Sequence, residues 1–158
     1  MPTRIIATVD PARSRVEART AHDQLIAMDA DPPEGDDSAA GPMETLLAAL
    51  AGCTAMDVAS ILRKKRQVAT TYELAVSGES AKAHPRVFTA IRVEHRVSGD
   101  VEAEALRRSI ELSATQYCPV NAMLSEVARI EHRYRLTDAE GNEHEALVAV
   151  IGPGRGRD

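Results

Sequence analysis

The strongest constraint on the fold is the segment METLLAALAGCTAMDVASIL at residues 43–62, which is apolar on almost every helical face. Pro42 suits a first helical position, and Glu44 falls where an acid favours the N-terminal dipole. Arg63, Lys64, Lys65 and Arg66 close the helix where cations suit its C-terminal end. A helix without a polar face must be covered on every side, so this one is expected to be central and buried all round. Its longest uninterrupted apolar run, residues 46–56, is too short to span a bilayer.

What can cover such a helix is read from the flanking segments. Arg4 to Val9 reads as a strand, Asp10-Pro11-Ala12 as a turn, and Ser14, Val16 and Ala18 as the alternating positions of a returning strand. A short third strand follows at residues 24–28. Residues 29–38, acidic and rich in Pro and Gly, read as a solvated, mobile connector. Beyond the helix, Tyr72, Leu74 and Val76 mark one strand. Val87, Thr89, Ile91, Val93, His95 and Val97 mark one face of the next.

Ser98-Gly99-Asp100 is expected to cap a second helix over 101–116, with Leu106, Ile110, Ser113 and Tyr117 on one side. Pro119 disfavours helical geometry at Cys118 and can itself start a third helix, to about residue 126. Ile130, His132, Tyr134 and Leu136 alternate along a long strand, residues 139–142 make a turn, and residues 145–151 pair back. The order is that of an α+β domain over 1–151 with a mostly antiparallel sheet, not alternating βαβ. Residues 152–158 read as a disordered tail.

Composition narrows the function. The 158 residues are 44% hydrophobic but include no Trp and one Phe, so the core is built of small side chains and gains burial by dimerising. With a formal net charge of -5 and no aromatic platform for stacking bases, nucleic acid is not expected as a partner. No segment has the pattern of an export signal, so the cytoplasm is the expected compartment and the two cysteines are expected to rest as thiols.

Cys53, in mid-helix among alanines, reads first as a small core residue. Desolvation would raise its pKa, and Asp57, one turn along on the same face, would raise it further. For Cys53 to act as a nucleophile, a cation must come from outside the helix. Cys118, before Pro119, takes an N-cap position where free backbone N–H groups favour a thiolate. If the fold brings the two together, a substrate oxidises one to a sulfenic acid and the other resolves it. His95 and His132 read as core or rim residues with satisfied hydrogen bonds. No His or Cys pair has metal-ligand spacing, so no metal and no organic cofactor are expected.

Two segments carry a resemblance. Gly41-Pro-Met-Glu-Thr-Leu-Leu-Ala-Ala-Leu-Ala-Gly-Cys53-Thr-Ala-Met-Asp-Val resembles the first-cysteine helix of the OsmC/Ohr family, and Tyr117-Cys118-Pro-Val-Asn-Ala-Met-Leu-Ser125 resembles its second-cysteine segment. The wording is most similar to the YhfA-like branch. The resemblance implies an OsmC-like fold: an intertwined homodimer in which sheets wrap around central helices, with cysteine sites at the subunit interface. It also implies that Cys53 attacks an organic hydroperoxide, that Cys118 resolves it as a disulfide, and that an external dithiol restores both. Peroxidase members activate the thiolate with an Arg from the N-terminal strands and a Glu ten residues before the cysteine. Here that position is Met43 with Glu44 beside it, and the candidate strand cation is Arg19, with Arg15 second. These departures leave an alternative, a relative that binds a small apolar or electrophilic molecule at the dimer interface.

Overall fold

The hairpin at the start of the chain forms because Asp10 turns it. In a computed structural model, which describes residues 2–153, the Asp10 carboxylate accepts the Ala12 N–H at 3.0 Å. Strands β1 (Ile5–Asp10) and β2 (Arg15–Thr20) pair antiparallel from Ile5↔Thr20 to Asp10↔Arg15, and β3 (Leu25–Met28) adds antiparallel to β2. Only Ala18 of this sheet is fully buried; Ile5, Ile6, Val9 and Leu25 are about half exposed. The acidic connector is tied down rather than loose. The buried carboxylate of Asp29 accepts the N–H groups of Ala30 and Ser38 and the Ser38 hydroxyl. These elements belong to one compact unit, Met1–Leu46, and the rest of the chain to a second, Leu47–Asp158.

Helix α1 (Pro42–Lys64) begins in the first unit and runs through the second. Its buried residues are Leu50, Thr54, Val58 and Leu62, spaced by four so that they form one stripe. Burial on every face is therefore not met within one chain: Met56 stays 75% exposed. A single layer covers one stripe of a helix and leaves the others open. By length and composition α1 as a whole could cross a membrane, though its longest uninterrupted apolar run could not.

The second sheet has the order β4 (Val68–Ser80), β5 (Phe88–Asp100), β6 (Arg129–Thr137), β7 (Glu143–Ile151). Two pairings are antiparallel, but β5 and β6 run parallel, from Ala90↔Arg129 to Ser98↔Thr137. A parallel pair needs a crossover, and the helical segment between these strands supplies it: α2 (Ala103–Leu112), a π-helical turn (Ser113–Tyr117) and α3 (Pro119–Ser125). The expected sheet is thus mostly antiparallel, with one β-helix-β unit that the order of elements conceals. The β5 strand also runs through Asp100, where the sequence suggests a helix cap. Near its start the expected alternation is inverted by a bulge: Glu79 pairs with Ala90 but Ser80 with Phe88. Phe88 therefore turns inward, and its ring lies where a Cβ on Gly78 would have to sit, 2.6 Å away.

The core of this unit joins Val58 and Leu62 of α1 to Val97, Val101, Leu106, Ile110, Tyr134 and Leu136. The π turn adds a residue to the helical repeat. The inward stripe Leu106, Ile110 and Ser113 then continues through Ala114 to Cys118, and Tyr117 swings out to 56% exposure. The expected inward Tyr117 is thereby corrected. Gly152 and Pro153 form a bend and turn, and the remainder of the expected tail lies outside the described residues.

This phasing predicts unequal costs of truncation. Ile110→Ala should destabilise the protein by about 2–5 kcal/mol, whereas Tyr117→Ala should stay within about 0.5 kcal/mol of the parent. Urea unfolding of the two variants checks it.

Candidate functional site

Cys53 and Asp57 project from adjacent turns of α1, and Cys118 lies at the break between the π turn and α3. Although 65 positions separate the cysteines in sequence, the two sulfurs and a carboxylate oxygen of Asp57 all lie within 4.8 Å of one another. Both cysteines are free thiols; Cys53 is half-buried and Cys118 is buried. What seats α1 against the π turn at this point is polar. Buried Thr54 and Ser113 are 3.0 Å apart, and the Ser113 hydroxyl donates to Asp57 Oδ2 at 3.0 Å. A carboxylate only accepts, so Ser113 spends its proton on Asp57 and Thr54 must donate to Ser113.

Cys118 is the N-cap of α3, with its sulfur accepting the Asn121 N–H at 3.3 Å. That bond favours the thiolate, as the sequence suggests, but it does not win. Burial is the larger effect, and together with hydrogen bonding to Cys53 and the Asp57 charge it pushes the Cys118 thiol up to about 12. Cys118 is therefore a neutral S–H group at physiological pH, beside the Cys53 sulfur.

Behind Cys118 runs a buried polar chain. The Asn121 side chain donates from Nδ2 to the Ala114 carbonyl at 2.8 Å, which leaves its Oδ1 to accept from His132 Nε2 at 2.8 Å. His132 Nδ1 then lies 3.4 Å from His95 Nε2, and His95 Nδ1 lies 2.7 Å from the Tyr72 hydroxyl. Burial lowers both imidazoles, His95 to about 3 and His132 to about 4, so each is neutral and carries one proton. With Asn121 fixed by Ala114, the tautomers follow: His132 donates from Nε2, His95 donates from Nε2 to His132, and Tyr72 donates to His95. The chain runs one way, from the Tyr72 hydroxyl to the backbone of the π turn. Among the described residues no buried side-chain nitrogen or oxygen lacks a partner.

The structure places the other expected site residues in the first unit. The Glu44 carboxylate accepts the Gly41 N–H at 2.8 Å, so it caps the start of α1. Arg19 donates to the carbonyl and carboxylate of Asp23, at 3.3 and 3.1 Å. Sequence reasoning missed Thr54, Ser113 and Asn121 as parts of the site. Asn121, three residues after Cys118, carried the available signal: its amide N–H is the natural partner of an N-cap side chain.

With this geometry in hand, the comparisons are specific. The sequence model of the family described as OsmC-like protein matches residues 35–133. The chain belongs to the OsmC-like protein family. This OsmC-like chain is 40% identical over 104 residues to Protein YhfA of Escherichia coli K12, covering 65% of this chain and 78% of that one. Its fold matches a hypothetical protein from Aquifex aeolicus VF5 with a TM-score of 0.78 at 23% identity, covering 87% and 98% of the two chains. It also matches the organic hydroperoxide resistance protein OhrB of Bacillus subtilis, with a TM-score of 0.58 at 14% identity over 85% and 98%. The α+β family fold expected from the sequence is thus present.

Two titrations test the electrostatics of this OsmC-like site. In Cys53→Ser, alkylation of the remaining thiol in the folded protein should have its midpoint well above the ordinary thiol value of about 8.5, moving toward it only on unfolding. The histidines act through stability. Their folded pKa values lie below 6.5, so the unfolded chain takes up protons first as the pH falls, and the stability present above 6.5 is lost below it. From pH 7 to pH 5 the loss should be on the order of 1–2 kcal/mol per histidine, read from urea midpoints.

Proposed function

We propose that this OsmC-like protein is a thiol-dependent peroxidase that reduces organic hydroperoxides through Cys53 and Cys118, in defence against oxidative stress. The observation that carries this reading is the convergence of the two sulfurs, both as free thiols, within 4.8 Å. Membership of a family whose fold is shared by an organic hydroperoxide resistance protein supplies the substrate class.

The roles divide by burial. Cys53, the more accessible sulfur, meets the hydroperoxide as a thiolate, with the neutral Cys118 S–H close beside it. Attack of the thiolate on the terminal peroxide oxygen breaks the O–O bond, gives the Cys53 sulfenic acid and releases the alkoxide, which leaves as the alcohol after taking a proton. Cys118 then attacks the Cys53 sulfur, its own proton leaves with the hydroxide as water, and a disulfide remains. An external dithiol reduces the disulfide and is itself oxidised. No step requires a metal or an organic cofactor.

A homodimer completes the reading. The faces of α1 that one chain leaves open, with Met56 75% exposed, and the uncovered Ile5, Ile6 and Val9 of the first sheet, are apolar surfaces suited to a second copy. The same need for cover makes α1 a core helix of an assembly in the cytoplasm, where the cysteines rest reduced.

The test is consumption of cumene hydroperoxide with dithiothreitol or a lipoyl dithiol. Wild type should turn over, and Cys53→Ser should show no catalysed turnover. Without added dithiol, Cys118→Ser should consume one equivalent per chain and stop as a sulfenic acid that dimedone captures. Equal rates for wild type and Cys53→Ser would overturn the reading. Solution mass should be twice that of the 17.0 kDa chain.

A further inference from the structure

Asp57 has no task in the peroxidase steps, yet it is built into the site. Its Oδ2 is held by Ser113, which is held by Thr54, and both of those residues are fully buried. A half-buried carboxylate beside two sulfurs raises the pKa of Cys118, the opposite of what activating a thiol requires. Among the described residues no arginine or lysine lies within ion-pair distance of Asp57. Lys64 is the charged residue that shares with it a cleft of about 280 Å³, also lined by Ser60, Ile61, Leu112 and Tyr117.

Two sulfurs and a carboxylate that has no arginine or lysine at ion-pair distance among the described residues have a second chemistry. Zinc binds thiolate sulfur at about 2.3 Å and carboxylate oxygen at about 2.0–2.2 Å. In a tetrahedron this sets ligand atoms about 3.5–3.8 Å apart, within the 4.8 Å spread of the three donors here. Ligands of such sites are oriented by outer hydrogen bonds, and two are in place: Ser113 on Asp57, and the Asn121 N–H on the Cys118 sulfur. The cleft gives Asp57 an approach from solvent.

We propose that Cys53 Sγ, Cys118 Sγ and an Asp57 carboxylate oxygen form a three-ligand site for a thiophilic divalent cation such as zinc, with a fourth position open. Binding displaces up to two thiol protons to solvent and leaves both sulfurs bound as thiolates, with no change in oxidation state. The metal and the disulfide are then mutually exclusive states of the same sulfurs: a loaded site is shielded from oxidation, and oxidation releases the ion.

Cobalt(II) reads this directly, because thiolate ligation gives a near-ultraviolet charge-transfer band and tetrahedral geometry gives intense visible bands. The reduced, chelator-treated full chain should develop both with one equivalent of cobalt(II), and zinc should abolish them. Asp57→Asn should weaken cobalt(II) binding by at least tenfold, and Cys53→Ser and Cys118→Ser should lose the charge-transfer band while keeping the wild-type circular dichroism. Absence of the band in folded, reduced wild type, or equal affinity in Asp57→Asn, would overturn the proposal. Hydroperoxide turnover of the metal-free protein is measured separately, so this inference and the peroxidase reading can each fail alone.

Discussion

Everything at this site depends on seating one stripe of α1 against the π turn of the crossover. Apolar packing alone, through Leu50, Val58 and Leu62, would fix the depth of the helix but leave it free to slide and rotate. The Thr54–Ser113–Asp57 chain removes that freedom, since each of its bonds is satisfied in one register. Cys53 lies between Leu50 and Asp57 on the same helix, so its sulfur is placed by neighbours held on both sides. A sulfur pair that is to close a disulfide would need such a frame, because small errors in Cα spacing prevent the bond.

The other half of the frame is the buried polar chain. Burying two imidazoles costs free energy that a hydrophobic pair would not. Their arrangement suggests what offsets it: the donor direction from Tyr72 through His95 and His132 ends at Asn121, whose side chain grips the Ala114 carbonyl and whose backbone N–H faces the Cys118 sulfur. The chain does not serve to deliver protons to the thiol, since it terminates at a backbone amide. It fixes the geometry of a π turn, where the ordinary helical hydrogen bonds are rearranged. The Cys118 N–H itself bonds to the Ser113 carbonyl at 2.9 Å.

Much of this was legible in the sequence where the physics is local. The hairpin at Asp10, the helix start at Pro42, the break at Cys118-Pro119 and the alternation of Ile130, His132, Tyr134 and Leu136 follow from turn chemistry, capping and period. The parallel pairing of β5 with β6 was not legible, because alternation gives a strand its faces but not its neighbour. Nor was the π turn: a single added residue shifts the phase by about 100°, which exchanges Tyr117 for Cys118 on the inward face while leaving the composition of the segment unchanged. The two cysteines stood out locally and took their separate roles from a family likeness, whereas their supports Ser113 and Asn121 depend on contacts across 59 and 11 positions of sequence.

The same distances that let sulfur meet sulfur let both meet a carboxylate, and this sets how the site can be tuned. A lone buried thiol pair has its reactivity fixed by desolvation, which holds protons on sulfur. Two responses are open to a fold: bring a fixed cation, or leave the place for an exchangeable one. Arg19, the cation expected from the first strands, is bound to Asp23 within the first unit. Asp57, held in place by Ser113 and with no arginine or lysine at ion-pair distance among the described residues, favours the exchangeable case. The chemistry of the pair would then answer to the availability of metal as well as to that of oxidant.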